Sequence, residues 1–128
     1  MDKSIKATVV VVDDYSMLRD MLKLMLRGES YSVIGEAANG QDAISQCELL
    51  KPDLVLLDIN MPKMSGLEAL DEILKLTPAP IVLIMSADAT MDNVSGAIKK
   101  GAAGFVVKPL NAASVLDRIA VTLKSRKK

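Results

Sequence analysis

Five polar residues, each placed directly after a run of apolar residues, are of types that do chemistry together. Asp13 and Asp14 follow one apolar run, and Asp58 ends a second. Ser86 and Lys108 end two further runs. Three carboxylates packed together repel one another and raise one another's pKa unless a cation joins them. If the four runs end at one edge of a sheet, the sequence therefore predicts a cation site there.

A divalent metal ion is the cation that this set of residues favours. Carboxylate oxygens are hard ligands that suit Mg²⁺, or Mn²⁺ in its place. Together with the ammonium group of Lys108 and the hydroxyl of Ser86, such an ion would neutralise a phosphoryl group in transfer. A carboxylate can be the covalent acceptor of that group. The hydroxyl would donate to one phosphoryl oxygen, and the lysine would pair with another.

Each of these side chains also has an ordinary structural interpretation. The aspartates would serve as helix N-caps or begin turns, and Asn60-Met61-Pro62 after Asp58 is typical of a turn. The serine alone would be a capping hydroxyl, and the lysine alone a solvated surface residue. Their occurrence together, at the ends of four separate apolar runs, favours the functional interpretation.

The apolar runs predict strands that are buried on both faces, because no polar residue alternates with the apolar ones. They cover residues 9–12, 54–57, 81–85 and 105–107, and a weaker run near 32–34 predicts an edge strand. Segments with helical periodicity lie between them. In the first segment, one face carries Leu18, Met21, Leu22 and Met25, and the opposite face carries Arg19, Asp20, Lys23 and Arg27.

Five alternating strand–helix units predict an α/β fold with a parallel sheet and helices on both faces. In such sheets, ligands bind beyond the carboxyl ends of the strands, near the point where the strand order reverses. The polar residues at the strand ends are therefore expected to meet at one edge of the sheet.

Composition limits the classes of function. The 128 residues suit one domain spanning 1–128, and half of them are hydrophobic. Equal numbers of basic and acidic residues, 16 each, give no support for direct nucleic-acid binding or membrane insertion. No histidine is present, which excludes a histidine-based nucleophilic triad. Cys47 is the single cysteine, which fits a reducing, cytoplasmic location, and we expect it to be a small buried apolar side chain.

The motifs as a set resemble response-regulator receiver domains of two-component signal transduction, the CheY-like superfamily, and most of all its stand-alone chemotaxis type. The resemblance covers essentially the whole chain. It implies a flavodoxin-like doubly wound five-stranded parallel sheet of order 2-1-3-4-5 with five helices. The segments that carry it are Val11-Val12-Asp13-Asp14, residues 56–62, Gly66, Ser86-Ala87, Gly101-Ala102 and residues 105–109.

The resemblance also implies a role for each carboxylate. Asp58 is expected to be the phosphoacceptor and Asp14 a direct Mg²⁺ ligand. Asp13 is expected to act partly through water, and Asn60 to offer its backbone carbonyl to the metal. A histidine kinase, or a small phosphodonor, would supply the phosphoryl group. No other enzymatic activity is implied beyond self-phosphorylation and self-dephosphorylation.

Signalling would pass from the acceptor to a protein surface. Ser86 takes the place of the switch hydroxyl and Lys108 that of the phosphate-pairing lysine, with the Lys108–Pro109 bond expected to be cis. Phe105 stands where many receivers carry tyrosine, so a contact specific to the phenol hydroxyl is in doubt. A downstream target is expected on the face of helix 4, strand 5 and helix 5, with the protein a monomer or a phosphorylation-dependent dimer.

Two polar residues are expected to set the lifetime of the phosphorylated state. Asn60 and Asp88 lie two residues beyond the acceptor and the switch hydroxyl. Because both are small and polar, they should position an attacking water rather than exclude it. Self-dephosphorylation is therefore expected to be comparatively quick.

Three alternatives remain open from the sequence. A flavodoxin-like electron carrier would need a phosphate-cradling loop after strand 1, where Asp13 and Asp14 would repel a phosphate. An aspartyl phosphatase of the haloacid-dehalogenase type would need a second aspartate at position 60, which is Asn. The third alternative is the receiver part of a longer regulator, with a DNA-binding or methylesterase output domain after Lys128.

Overall fold

A computed structural model describes residues 5–59, 61, 64, 66–87 and 91–126. Strands and helices alternate strictly along these residues, as the pattern of apolar runs predicts. The strands are β1 (Ala7–Val12), β2 (Tyr31–Ala37), β3 (Leu54–Asp58), β4 (Ile81–Ser86) and β5 (Gly104–Val107). The helices are α1 (Ser16–Arg27), α2 (Gly40–Leu50), α3 (Gly66–Leu74), α4 (Met91–Lys100) and α5 (Ala112–Arg126).

The five strands form one parallel sheet of order β2-β1-β3-β4-β5, which confirms the predicted fold. The strand order reverses at β1, whose neighbours are β2 on one side and β3 on the other. Val12 is paired with Leu57, so the residues that follow them, Asp13 and Asp58, come to the same edge. This edge, at the carboxyl ends of β1 and β3, is where doubly wound folds bind ligands.

The core consists of two layers, one on each face of the sheet. Alternate residues of the strands pack against α1 and α5 on one face, where Leu22 and Ile119 are fully buried. The other alternate residues pack against α2, α3 and α4, where Leu70 and Ala97 are fully buried. Burying one such leucine or isoleucine stabilises the fold by about 1.5–3 kcal/mol, so the strand positions are strongly determined.

Cys47 belongs to the second layer and is 2% exposed, as expected of a small apolar side chain. Burial raises the pKa of its thiol to about 12, so the thiol stays protonated at neutral pH. A protonated, enclosed thiol is a poor nucleophile and a poor metal ligand. The residue therefore has a packing role.

Helix α1 differs from the sequence-based prediction in which residues it buries. Leu22 and Leu26, one turn apart, are fully buried, whereas Met21 is 43% exposed. Of the residues predicted for the opposite face, Arg19 and Lys23 are largely covered and pair with a carboxylate of β2. Relative to the predicted stripe, the buried face of α1 is thus rotated slightly about the helix axis, because Leu22 and Leu26 pack against the sheet while the two basic side chains turn to the carboxylate of β2.

The amino ends of β1 and β3 are joined by reciprocal hydrogen bonds between Thr8 and Asp53. The Asp53 carboxylate accepts from the Thr8 amide at 2.9 Å and from the Thr8 hydroxyl at 3.1 Å. The Asp53 amide in turn donates to the Thr8 carbonyl at 3.1 Å. We call this pair the Thr8–Asp53 latch; it fixes the two strands at the end of the sheet opposite the acidic edge.

In the part of the chain that the structure describes, none of the helices has the length and hydrophobicity that a membrane span requires. The longest, α5, has 15 residues.

Gly66 allows the chain to fold back closely over the end of β3. Its amide donates to the Ile59 carbonyl at 2.7 Å. A Cβ at this position would lie 2.5 Å from the Ile59 Cα and would also overlap the Asp58 carbonyl oxygen. Since both contacts are with backbone, any side chain here must displace the segment that carries Asp58.

We therefore expect Gly66→Ala to lower the free energy of unfolding by about 1–3 kcal/mol, through overpacking against backbone. The matched control is Gly96→Ala in α4, where a Cβ meets no atom within 4 Å. In that helix, replacing glycine by alanine should raise the free energy of unfolding by about 0.5–1 kcal/mol. Urea denaturation measures both, and equal effects of the two substitutions would contradict this account of Gly66.

Candidate functional site

Three carboxylates meet at the carboxyl edge of the sheet, as predicted. Asp13 and Asp14 follow β1, and Asp58 is the last residue of neighbouring β3. Each residue offers one carboxylate oxygen, and these oxygens all lie within 4.8 Å of one another. Asp13 and Asp58 are buried, whereas Asp14 is exposed, so the cluster opens to solvent on the Asp14 side. An ion entering from solvent would meet Asp14 first.

Lys108 places its ammonium group beside the two buried carboxylates. Its Nζ lies 2.6 Å from Asp13 Oδ2 and 3.4 Å from Asp58 Oδ1. The lysine follows β5 directly, its amide donates to the Ser86 carbonyl at 2.8 Å, and the Lys108–Pro109 bond is cis, as expected. Backbone contacts thus aim this side chain across the end of β4 towards β1 and β3.

The charge of Lys108 is stabilised by its surroundings. Burial tends to lower the pKa of this lysine, but the hydrogen bond to Asp13 and the negative charge of Asp58 outweigh it. The pKa of Lys108 is therefore raised above its ordinary value of 10.5. The group stays cationic at neutral pH and offsets part of the repulsion between the carboxylates.

Asp13 is fixed in place by the start of α1 and does not cap that helix. The N-cap residue of α1 is Tyr15, whose side chain makes no capping hydrogen bond. The Tyr15 amide instead donates to Asp13 Oδ1 at 2.9 Å. With Lys108 on Oδ2, both carboxylate oxygens of Asp13 are engaged within the protein. The capping interpretation of Asp13 is therefore not what the structure shows.

Ser86 ends β4 and is fully buried. Since Asp58 pairs with Met85, Ser86 lies one residue further towards the acidic edge. Ser86 is also paired with Val107, the residue before Lys108. The sheet register alone thus brings the Asp58 carboxylate, the Ser86 hydroxyl and Lys108 to adjacent strand ends.

Phe105 lies on β5, opposite Ile84, and is partly buried against the layer that contains α2, α3 and α4. Phe105 and Arg118 of α5 also line a surface depression of about 210 Å³. Apolar side chains are exposed on β5 and α5, where Val107 is 49% and Val121 is 51% exposed. The ring thus stands between the core and an apolar surface.

Two of the predicted site residues, Asn60 and Asp88, lie outside the described residues. Their expected parts, the backbone carbonyl for the metal and the tuning of dephosphorylation, remain predictions. In the part of the chain that the structure describes, no buried side-chain nitrogen or oxygen lacks a hydrogen-bond partner.

The sequence alone does not reveal the roles of Arg19 and Glu36, which join α1 and β2 next to the acidic edge. Arg19 Nε donates to Glu36 Oε1 at 2.7 Å, and Arg19 Nη1 donates to the Asp13 carbonyl at 2.7 Å. The sequence does contain a signal for this ion pair. Glu36 is the one acidic residue in the edge strand β2, and the preceding helix carries the basic residues Arg19 and Lys23 at positions i and i+4. Their partner could not be chosen without knowing how far α1 is rotated.

The fold and this site define a receiver domain of the response-regulator type. The family model of the response regulator receiver domain matches residues 9–120. The protein therefore belongs to the response-regulator receiver family.

Relatives within this family include both short and long proteins. The chemotaxis protein CheY of Thermotoga maritima is 40% identical over 111 residues, which cover 87% of this chain and 92% of that protein. The nitrate/nitrite response regulator NarL of Escherichia coli is 37% identical over 114 residues, but these cover only 53% of NarL. CheY of Borrelia burgdorferi, crystallised with CheX, BeF₃ and Mg²⁺, superimposes with a TM-score of 0.87 at 34% identity, covering 91% of this chain and 89% of that one.

We expect Lys108→Met to destabilise the metal-free protein, because Asp13 and Asp58 would then be buried without a cation. Lys108 is 20% exposed, so we expect a loss of about 2 kcal/mol in EDTA, below the value for a fully buried pair. Added Mg²⁺ should recover part of this loss.

The pH dependence follows from the raised pKa of Lys108. Protonated Lys108 contributes fully to the free energy of unfolding below its unfolded-state pKa of 10.5. This contribution is lost as the pH rises through the higher pKa of the folded state. Urea unfolding of wild type, Lys108→Met and the exposed-lysine control Lys99→Met checks this. The same small loss in both variants would show that Lys108 does not compensate the carboxylates.

Proposed function

We propose that this protein accepts a phosphoryl group on Asp58 from a phosphohistidine of a histidine kinase, or from a small phosphodonor, in a Mg²⁺-dependent reaction. One observation carries the proposal. The buried Asp58 carboxylate lies 3.4 Å from the ammonium group of Lys108, and its cluster with Asp13 and Asp14 brings carboxylate oxygens within 4.8 Å of one another. An acceptor oxygen in that position has a fixed positive charge beside it and further carboxylates that could bind a metal ion.

The donor set fits Mg²⁺. Three carboxylates with oxygens within 4.8 Å of one another offer hard ligands, and the exposed Asp14 leaves room for the waters that Mg²⁺ retains. Asp13, Asp14, Asp58 and the Asn60 carbonyl would hold the ion. When bound, it would supply positive charge to the phosphoryl oxygens. The BeF₃ and Mg²⁺ found with the Borrelia burgdorferi relative support this assignment.

The transfer itself needs a nucleophile and charge compensation, and this chain supplies both. An oxygen of the ionised Asp58 carboxylate attacks phosphorus, and the P–N bond to the donor imidazole breaks. The bonding electrons leave with the imidazole, and no proton is needed from Asp58. Lys108 pairs with one phosphoryl oxygen and the Ser86 hydroxyl donates to another.

We propose that the phosphorylated protein signals by binding a target on the surface formed by α4, β5 and α5. The exposed apolar Ile98, Val107 and Val121 lie on these three elements and support an interface there. Movement of Ser86 towards the phosphoryl group would let the Phe105 ring turn inward. A phosphoryl group shifts this equilibrium because it contacts the two states differently.

We propose a stand-alone, cytoplasmic role in the manner of chemotaxis receivers, with residues 1–128 as one domain. The CheY relative, of which the alignment covers 92%, supports it. The NarL relative, covered over 53%, favours the second candidate, a receiver followed by an output domain. Sequencing the coding region beyond Lys128 distinguishes the two.

The acceptor assignment predicts that acetyl phosphate with Mg²⁺ adds the mass of one phosphoryl group to the wild type and none to Asp58→Asn. Carboxamide is a poor nucleophile, so the loss should be complete, whereas EDTA should abolish modification of the wild type. The matched control is Asp117→Asn, an exposed aspartate of α5, which should be modified normally. Intact-protein mass spectrometry measures all of these. Modification of Asp58→Asn at the wild-type rate would refute the assignment.

The signalling route predicts that Phe105→Ala still accepts the phosphoryl group but loses most of the surface change. Without the ring, movement of Ser86 would have no large side chain to follow it. Phe105→Tyr keeps the ring and should behave like the wild type. Amide NMR shifts of residues 91–123, with and without beryllofluoride, provide the measurement. If wild type and Phe105→Ala give the same shift changes, the signal takes another route.

A further inference from the structure

We propose that Arg19, held by Glu36, is a positioning residue that fixes the Asp13–Asp14 peptide and so sets the affinity of the acidic site for Mg²⁺. This inference rests on the proposed function, because it concerns the same metal site. Arg19 acts through the main-chain carbonyl of Asp13, whereas Lys108 binds the side chain.

The guanidinium of Arg19 connects three elements. Its Nη1 donates to the main-chain oxygen of Asp13, at the end of β1, at 2.7 Å. Its Nε donates to Glu36 Oε1, on β2, at 2.7 Å. The planar guanidinium holds its donors in a fixed relation, so the two bonds together determine where the Asp13 carbonyl points. The side chain is 17% exposed, and it is therefore largely shielded from competing water.

Glu36 is itself held in its charged form and in position. Lys23 Nζ lies 2.7 Å from the second carboxylate oxygen, Oε2. The hydrogen bonds from Lys23 and Arg19 lower the pKa of Glu36 below its usual value, although burial opposes them. A carboxylate fixed at both oxygens gives Arg19 one preferred orientation.

Arg19 holds the main chain of Asp13, whereas other residues hold the Asp13 side chain. The Asp13 amide donates to the Ala37 carbonyl at 3.1 Å, within the extension of the sheet. Its two carboxylate oxygens accept from Tyr15 and Lys108. Its carbonyl oxygen accepts from Arg19.

The carbonyl of Asp13 belongs to the peptide that leads to Asp14. Rotation of this peptide plane would change the direction in which the Asp14 side chain points. The buried Asp13 carboxylate would meanwhile stay in place, because Tyr15 and Lys108 hold it. Asp14 is the exposed carboxylate of the cluster, and it lacks the covering that fixes Asp13. Arg19 therefore acts chiefly on the ligand that has the least support from packing.

Removing Arg19 should weaken Mg²⁺ binding without removing any ligand. Groups that orient metal ligands typically change affinity by about 10–100-fold, and we expect about tenfold for Arg19→Met at this solvent-open site. Because the acceptor and Lys108 are untouched, phosphorylation by acetyl phosphate at saturating Mg²⁺ should return to near the wild-type rate. A loss confined to Mg²⁺ affinity distinguishes positioning from damage to the chemistry.

The experiment is titration of metal-free protein with Mg²⁺ by isothermal calorimetry. It compares wild type, Arg19→Met, Glu36→Gln and the control Arg27→Met. Arg27 is an exposed arginine in the last turn of the same helix, at the end opposite Asp13. We expect about tenfold weaker binding for Arg19→Met, about threefold for Glu36→Gln and less than about twofold for Arg27→Met. Thermal unfolding in EDTA shows whether each variant is folded.

Wild-type affinity in folded Arg19→Met would overturn the proposal, as would an equal loss in Arg27→Met, which would indicate general loosening of α1. If Arg19→Met does not fold, Arg19→Lys decides, because it keeps the charge but cannot make both bonds. Wild-type affinity in Arg19→Lys would likewise overturn the proposal. Absence of Mg²⁺ binding by the wild type itself would refute the proposed function, and this inference with it.

Discussion

The repulsion between buried carboxylates at one edge of the sheet is the constraint on which the rest of the structure depends. Asp13 and Asp58 are almost fully buried side by side, an arrangement that costs free energy unless a cation is present. Lys108 supplies that cation from a third strand. Strand order, register and the turn after β5 all serve to bring these groups together.

The charged site is precise because the hydrophobic core is rigid. β1, β3 and β4 are buried on both faces, so their positions are set by packing on both sides of the sheet. The charged groups begin where this packing ends. A rigid sheet with polar groups at its ends can hold like charges closer together than a flexible loop would allow.

Much of the fold and site followed from the sequence because its signals are local. Uninterrupted apolar runs marked the strands, and Asp58, Ser86 and Lys108 at their ends were brought together by the parallel arrangement. The order of the strands and the cis Lys108–Pro109 bond came from the family resemblance, since neither is encoded in apolar periodicity. The roles of Asn60 and Asp88 in the site remain predictions.

What the sequence could not provide were features that depend on how elements pack against one another. The exposure of Met21 and the pairing of Arg19 with Glu36 both depend on the rotation of α1 about its axis. Sequence periodicity locates the buried face of a helix only approximately. Residues at the border of that face can therefore be either buried or exposed. A change of a few tens of degrees turns a solvated arginine into a bridge between a helix and two strands.

The Thr8–Asp53 latch fixes the position of the acidic site from the opposite end of the sheet. Thr8 lies near one end of β1 and Asp13 directly follows the other, and a strand of this length, 6 residues, extends about 20 Å. Because β1 is held to β3 at its amino end, the number of residues between the latch and the aspartates determines how far along the strand direction each carboxylate lies. Insertion or deletion of one residue within β1 would turn its buried side chains to the opposite face and displace Asp13 and Asp14 together. The length of this strand is thus a functional dimension of the protein, as much as the identity of the residues at its end.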